Sequence, residues 1–250
     1  MRLGQNFLAD PNLLEAIVRD AELAPEDVVL EVGAGEGVLT GRLAAAAAHV
    51  HAVEIDRGLA TQLAEIEARP EVTLHWGDVL RIDLTALRPA PTSVVANLPY
   101  SVATPVIVRT VVELPEVRSW TVMVQREIAD RLRAAPGSRA YGSASVIVQA
   151  AAEVSLARAV DPAVFKPRPR VDSAILRIER RGPAPTPAMR QLVREAFAHR
   201  RKSLARSLEL ARPGRVDAVR VALRELGLPE DARAEALSPD DFRALTAKVG

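Results

Sequence analysis

Asn97-Leu98-Pro99-Tyr100 is the tetrapeptide of this 250-residue chain whose groups most directly suggest chemistry. The Asn97 amide oxygen and the Leu98 carbonyl, set around an NH2 group, can hold its hydrogens and favour a pyramidal nitrogen. An adenine amine needs that help, because its lone pair is delocalised into the ring and is a poor nucleophile. Pro99 fixes the φ angle of the loop. The Tyr100 ring can stack on a base. The bland alternative is an ordinary proline turn.

A second group of residues reads as a nucleoside site. Glu31-Val32-Gly33-Ala34-Gly35-Glu36-Gly37 follows an apolar run and precedes a helical pattern, where glycines permit a tight turn and close backbone approach to a ligand. Glu54 closes the next apolar run about 20 residues later, where a carboxylate can accept ribose hydroxyls. Gly77-Asp78 closes a third, and an acidic side chain there can accept from an adenine amino group. The dinucleotide fingerprint G-x-G-x-x-G is not met, because Val38 stands three residues after Gly35. A ligand with a ribose and an adenine but no pyrophosphate fits better, which favours S-adenosylmethionine over a nicotinamide dinucleotide.

The elements that must carry these groups alternate in type. Strands are expected at Val28–Val32, His49–Ile55, Val72–His75, Ser93–Ala96 and Trp120–Gln125. Helices are expected at Pro11–Glu22, Gly37–Ala48, Arg57–Glu67, Pro105–Leu114, Glu127–Ala134 and Ser143–Ala152. Such alternation implies a parallel sheet covered on both faces. Two late strands, Val154–Val160 and Ser173–Glu179, lack a long crossover and suggest an antiparallel pair at one edge. Gly182-Pro183-Ala184-Pro185-Thr186-Pro187 is a linker by composition. After it only helical patterns occur, at Ala188–Leu210, Arg215–Leu226 and Pro239–Val249. The chain therefore divides into a catalytic α/β domain over 1–182 and a small helical domain over 183–250.

Composition narrows the class. Hydrophobic residues make up 48%, enough for a substantial core. The chain has no cysteine, so disulfides and thiolate metal sites are excluded and a reducing cytoplasm fits. His49, His51, His75 and His199 show no metal-ligand spacing. No apolar run reaches membrane-spanning length, and the start does not read as a signal peptide. The net charge of +1 hides an asymmetry: residues 1–120 carry 9 basic and 17 acidic side chains, and residues 165–215 carry 14 and 4. A local excess of that size suits a polyanion, although a solvated Arg-rich face is the alternative. Within it, Arg200-Arg201-Lys202 falls on an expected helix and reads as phosphate-binding, while a continuous triplet spreads around a helix and cannot all face one groove.

Several strings of the chain occur together in one known order: Gly4-Gln5-Asn6-Phe7-Leu8, the glycine loop ending Val38-Leu39-Thr40, Val53-Glu54-Ile55-Asp56, Gly77-Asp78, Asn97-Leu98-Pro99-Tyr100, Ala140-Tyr141-Gly142, Phe165–Ser173 and Arg200-Arg201-Lys202. Together they resemble the rRNA adenine N6,N6-dimethyltransferases of the KsgA/RsmA type, whose relatives include the Erm resistance enzymes and the mitochondrial dimethyltransferases. The resemblance covers nearly the whole chain. It implies an α/β, Rossmann-like class I methyltransferase sheet with an antiparallel edge, followed by a C-terminal all-helical RNA-binding domain. It implies that Asn6, Leu8, Gly33, Glu54, Asp78 and Asn97 hold S-adenosylmethionine, that Phe165 faces the target base opposite Tyr100, and that no metal takes part. The implied substrate is a pair of adjacent adenosines in the 3'-terminal hairpin loop of 16S rRNA, within an immature small ribosomal subunit, acted on by a cytoplasmic monomer. An Erm-type enzyme acting on 23S rRNA and a non-catalytic rRNA-binding assembly factor are the alternatives. Family members usually carry a short basic extension before Gly4; three residues precede it here. The Erm branch more often has Ile where this chain has Leu98.

Overall fold

The structure, a computed structural model, describes residues 7, 8, 10–166 and 171–249, and they form two compact units. The first unit comprises residues 1–129 and 153–180. Its strands are β1 (Phe7–Leu8), β2 (Val28–Val32), β3 (His49–Glu54), β4 (Val72–Trp76), β5 (Ser93–Asn97), β6 (Ser119–Gln125), β7 (Ala152–Val160), β8 (Phe165–Lys166) and β9 (Ser173–Arg180). Helices α1 (Pro11–Ala21), α2 (Val38–Ala44), α3 (Ala60–Glu67) and α4 (Ala103–Glu113) connect them, and α5 (Arg126–Leu132) follows β6. Helix α1 begins where the sequence signals it: Asp10 caps the Asn12 N–H at 2.8 Å and Pro11 occupies the first turn.

Seven strands form one sheet in the order β4-β3-β2-β5-β6-β9-β7. Pairs β2–β3, β3–β4, β2–β5 and β5–β6 are parallel, and β6–β9 is antiparallel. All five residues of β2 are buried, as expected of a central parallel strand with both faces covered. After β2 the chain runs outward through β3 and β4, then returns to place β5 on the other side of β2. That reversal opens a crevice at the carboxyl ends of β2 and β5, where open α/β sheets bind ligands. The two late strands pair at one edge, as expected, with β9 against β6 and β7 outermost. Strand β7, left outermost, alternates exposed and half-buried residues between buried ends, the pattern of a half-solvated edge. β1 and β8 form a separate antiparallel ladder with Leu8 opposite Phe165.

The second unit comprises residues 130–152 and 181–250. It contains α6 (Ser143–Gln149), α7 (Pro187–Phe197), α8 (Leu204–Ala211), α9 (Val216–Glu225) and α10 (Pro239–Val249). Tyr141 and Val146 are buried with Val193, Leu208, Leu223, Leu237 and Phe242 in one core. The Tyr141 hydroxyl donates to the Leu237 carbonyl at 3.0 Å. A division drawn at residue 183 therefore needs correction in one respect: residues 130–152 belong with the helices, because their apolar side chains complete the helical core.

The helix expected over Ala188–Leu210 is two helices with a turn between them, and Arg200-Arg201-Lys202 lies in that turn. The reason is geometric. Seven residues after Val193 and four before Leu204, Arg200 would lie on the buried face of a continuous helix. Breaking the helix removes the guanidinium from the core while Leu204, Ala205 and Leu208 still pack into it.

Candidate active site

A cleft of about 450 Å³ occupies the crevice between the ends of β2 and β5. Of the sequence-expected site residues, Gly33, Glu54, Asp78, Asn97, Leu98, Pro99, Tyr100 and Phe165 all line it. Asn6 lies outside the described residues. Leu8 is placed by its backbone, across the β1–β8 ladder from Phe165.

The glycine loop meets the Asn97–Tyr100 loop directly. Gly33 has φ +81°, and a Cβ there would stand 3.4 Å from Pro99 Cδ and Cγ. A side chain would thus combine a disfavoured backbone conformation with a crowded contact. Gly37, at φ +78°, has even less room: a Cβ would fall 2.7 Å from Ile66 Cγ1. The loop's amides are largely committed internally. Gly33 and Ala34 N–H donate to the Val53 carbonyl at 2.8 and 3.2 Å, Gly37 N–H donates to Ala34 at 2.9 Å, and Gly35 N–H donates to Glu54 Oε2 at 2.9 Å. These amides therefore do not form a phosphate cradle, and a carboxylate sits where a pyrophosphate would need donors.

Glu54 is buried, and its orientation is set by backbone. Oε1 accepts from Ile55 and Asp56 N–H at 2.9 and 2.8 Å. A carboxylate oxygen has two lone-pair sites. Oε1 is therefore filled, and Oε2 keeps one acceptor position for a hydroxyl. Asp78 is fixed more loosely, accepting from Leu80 N–H at 2.9 Å beside Arg81 at 3.6 Å. The turn after Asp78 is clamped from α4: Arg109 donates to the Val79 carbonyl and, at 2.8 Å, to the Ile82 carbonyl.

Glu31, the first residue of the glycine motif, has no role that the motif alone would give it. It is 1% exposed and lines the cleft, and Oε2 has no hydrogen-bond partner among the described residues. Burial pushes its carboxyl up to about 8, the Glu54 charge adds to the shift, and the neighbouring Thr40 hydroxyl opposes it. Thr40 Oγ1 likewise lacks a hydrogen-bond partner among the described residues. A buried acid with one oxygen unpartnered among the described residues, in the wall of a mostly apolar cleft, fits a ligand that brings it a hydrogen-bond donor or a cationic portion.

On the other wall, Leu98 N–H donates to the Met123 carbonyl at 3.1 Å, which fixes the loop after β5. The Asn97 side chain is half-buried with no partner among the described residues. Tyr100 is half-buried, and its hydroxyl lies 2.7 Å from Ser173 Oγ. Phe165 is 2% exposed yet lines the same cleft. Ser173 is visible in sequence only as the last residue of the Phe165–Ser173 string, with nothing to say that its hydroxyl meets a partner 73 residues away, and Arg109, an arginine within an amphipathic helix, carries no signal.

In the second unit, Arg200 is committed to structure. It donates to the Arg139 and Tyr141 carbonyls at 3.1 and 3.2 Å and pairs with Glu235 at 3.1 Å. Arg201 and Lys202 are exposed. Among the described residues no cluster of three metal-ligating side chains occurs, and no helix is long and apolar enough to cross a membrane.

The sheet order and a nucleoside-type cleft at its switch point define a class I methyltransferase. Two solved structures resemble the chain over nearly all of its length. One is a dimethyladenosine transferase from Plasmodium falciparum, with TM-score 0.76, 23% identity and coverage of 96% of this chain and 95% of that one. The other is the 23S rRNA methyltransferase ErmE, with TM-score 0.70, 30% identity and coverage of 98% and 99%. The family model for ribosomal RNA adenine dimethylase matches residues 1–247. The chain belongs to that family. Curated relatives named ribosomal RNA small subunit methyltransferase A include one from Rubrobacter xylanophilus, 44% identical over 99% of this chain and 94% of the relative. Another, from Deinococcus radiodurans, is 41% identical over 99% and 85%.

Proposed function

We propose that this chain methylates N6 of two adjacent adenosines in the 3'-terminal hairpin loop of 16S rRNA, using S-adenosylmethionine, on an immature small ribosomal subunit. One observation carries the reading: at the switch point, a pyrophosphate-excluding nucleoside site abuts a loop that offers acceptors for an amine and a ring for a base. Gly33, Glu54, Asp78 and Asn97, with Asn6 and Leu8, would hold the cofactor, and Glu31 would face its charged portion. Bound there, S-adenosylmethionine supplies an electrophilic methyl group. The protein's own contribution is positioning and electrostatics. Asn97 and the Leu98 carbonyl accept the amine hydrogens, so the nitrogen lone pair is directed rather than spread into the ring. Tyr100 and Phe165 hold the extruded base, compensating lost stacking at ~1–3 kcal/mol per base. No general base is assigned; the amine becomes acidic as it is methylated, and water can take the proton.

The 44% identity to a small-subunit methyltransferase, against 30% to ErmE, favours the small subunit as substrate. The basic stretch 165–215 fits rRNA. We assign the protein to the cytoplasm, as a monomer. The deciding experiment incubates the protein with tritiated S-adenosylmethionine and unmethylated small or large subunits, then maps the modified nucleotides. Label on two adjacent small-subunit adenosines is expected. Label confined to 23S rRNA would make it an Erm-type enzyme, and rRNA binding without transfer would make it an assembly factor.

A further inference from the structure

The hydroxyl of Tyr100 and that of Ser173, 2.7 Å apart, join two segments that the reaction as described does not otherwise require to meet. Ser173 is 1% exposed and begins β9. Its position is fixed by the antiparallel ladder, in which it lies opposite Gln125 of β6. Asn97 is referenced to that same strand, opposite Met123 two residues earlier. The stacking ring and the amine-holding amide are therefore both anchored to β6. Phe165, on the facing side of the base, belongs to the separate β1–β8 ladder.

The two methyl transfers make different demands on this frame. In each, the N6 lone pair forms the new C–N bond, the sulfonium S–C bond breaks to leave a thioether, and one N–H proton passes to water. The first acceptor is an NH2 group with two hydrogens for Asn97 and the Leu98 carbonyl to hold. The second is an NH–CH3 group, which has one hydrogen left and a methyl group to keep clear of the donor. With one handle gone, placement of the nitrogen depends more on the ring against which the base stacks. Resting on the adenine-dimethylation reading above, we infer that Ser173 is a positioning residue for the second methyl transfer, acting by fixing the Tyr100 ring.

The test compares wild type, Ser173→Ala, Ser173→Thr, Tyr100→Phe and the double variant Ser173→Ala/Tyr100→Phe on unmethylated small subunits. N6-methyladenosine and N6,N6-dimethyladenosine are quantified by mass spectrometry through a single-turnover time course. Ser173→Ala and Tyr100→Phe should each lower the ratio of second to first transfer rates by about 2- to 10-fold, the range spanned by one net hydrogen bond. The double variant should match the single ones, and Ser173→Thr, which keeps a hydroxyl, should recover toward wild type. A general loss of folded protein would slow both transfers alike and leave the ratio unmoved. If both single variants keep the wild-type ratio, or their effects add in the double variant, Ser173 has no such role. If the wild-type protein transfers no methyl group to the subunits, the substrate reading itself fails and the inference goes with it.

Discussion

Two side chains at the ends of adjacent strands, Glu31 and Asn97, show how differently a polar group can be used in one cleft. Asn97 is half-buried and its amide is unengaged among the described residues, which leaves it open to the amine of the proposed reaction. Asn97→Ala should lower the methylation rate by on the order of 10²–10³, more than it weakens binding of either substrate, because the contact strengthens as the amine pyramidalises. Single-turnover kinetics read against calorimetric affinities check this, and equal losses in both would reassign Asn97 to ground-state binding. Glu31 is instead held neutral by burial. Between about 4.5 and about 8 the unfolded chain has lost this proton and the folded chain keeps it. Stability of the unliganded protein should therefore fall as pH rises through that window. Glu31→Gln should flatten that slope and raise the melting temperature at pH 8, a comparison for differential scanning fluorimetry. The Asn97 loop was legible in sequence because four uncommon neighbours spell it out. Glu31 was visible only as a letter of the glycine motif, since its burial depends on the packing around it. For Tyr100 the sequence suggests a stacking ring; the contact of its hydroxyl with Ser173, 73 residues away, is visible only in the fold.

Among the elements, β3 and β4 carry a feature with no part in the chemistry. His51 on β3 is 1% exposed, with Nδ1 3.0 Å from His75 Nε2 on β4 and Nε2 2.9 Å from the Pro89 carbonyl. Burial pushes His51 down to about 4, with His49 and His75 adding to the shift, so the imidazole is neutral in the fold. Its unfolded value is higher, so this stability is present above pH ~6.5 and is lost as pH falls toward 4, at no more than ~1.4 kcal/mol per pH unit. His51→Gln should reduce the drop in melting temperature between pH 7 and pH 5; a drop equal to that of wild type would locate the acid sensitivity elsewhere. Apart from the short strands β1 and β8, the strands and helices of the first unit were readable from period and punctuation. The place of β9 was not, because a strand of alternating polarity does not say which neighbour it chooses. The α7–α8 break was hidden for a sharper reason: Val193 and Leu204 are in phase, so the apolar stripe runs through the turn undisturbed. That turn separates the roles of the basic triplet. Arg201→Ala with Lys202→Ala should weaken rRNA binding and make the slope of log affinity against log salt shallower. Arg200→Ala should chiefly lower the melting temperature, since its guanidinium holds two carbonyls and Glu235. Filter binding at several salt concentrations, run beside thermal melts, distinguishes the two; loss of stability without change in slope for the double variant would remove Arg201 and Lys202 from the interface.

At the scale of the molecule, the chain crosses between its units three times, after residues 129, 152 and 180. Composition pointed to the last crossing through the proline-rich linker, while the first two fall within stretches that look like a continuation of the α/β pattern. The order in which the chain emerges during synthesis gives that route a consequence. When residue 129 has been made, β6 still lacks its neighbour β9, and the sheet carries an open hydrogen-bonding edge. The helical core cannot close either, since Tyr141 and Val146 are present long before Phe242. Each unit thus waits on chain that follows a visit to the other: the first has all of its residues only at residue 180, and the second only near the end of the chain. For the same reason no single join could graft the helical unit onto another protein: a transplant starting at the linker would leave behind Tyr141, the residue whose hydroxyl meets the Leu237 carbonyl at the centre of that core.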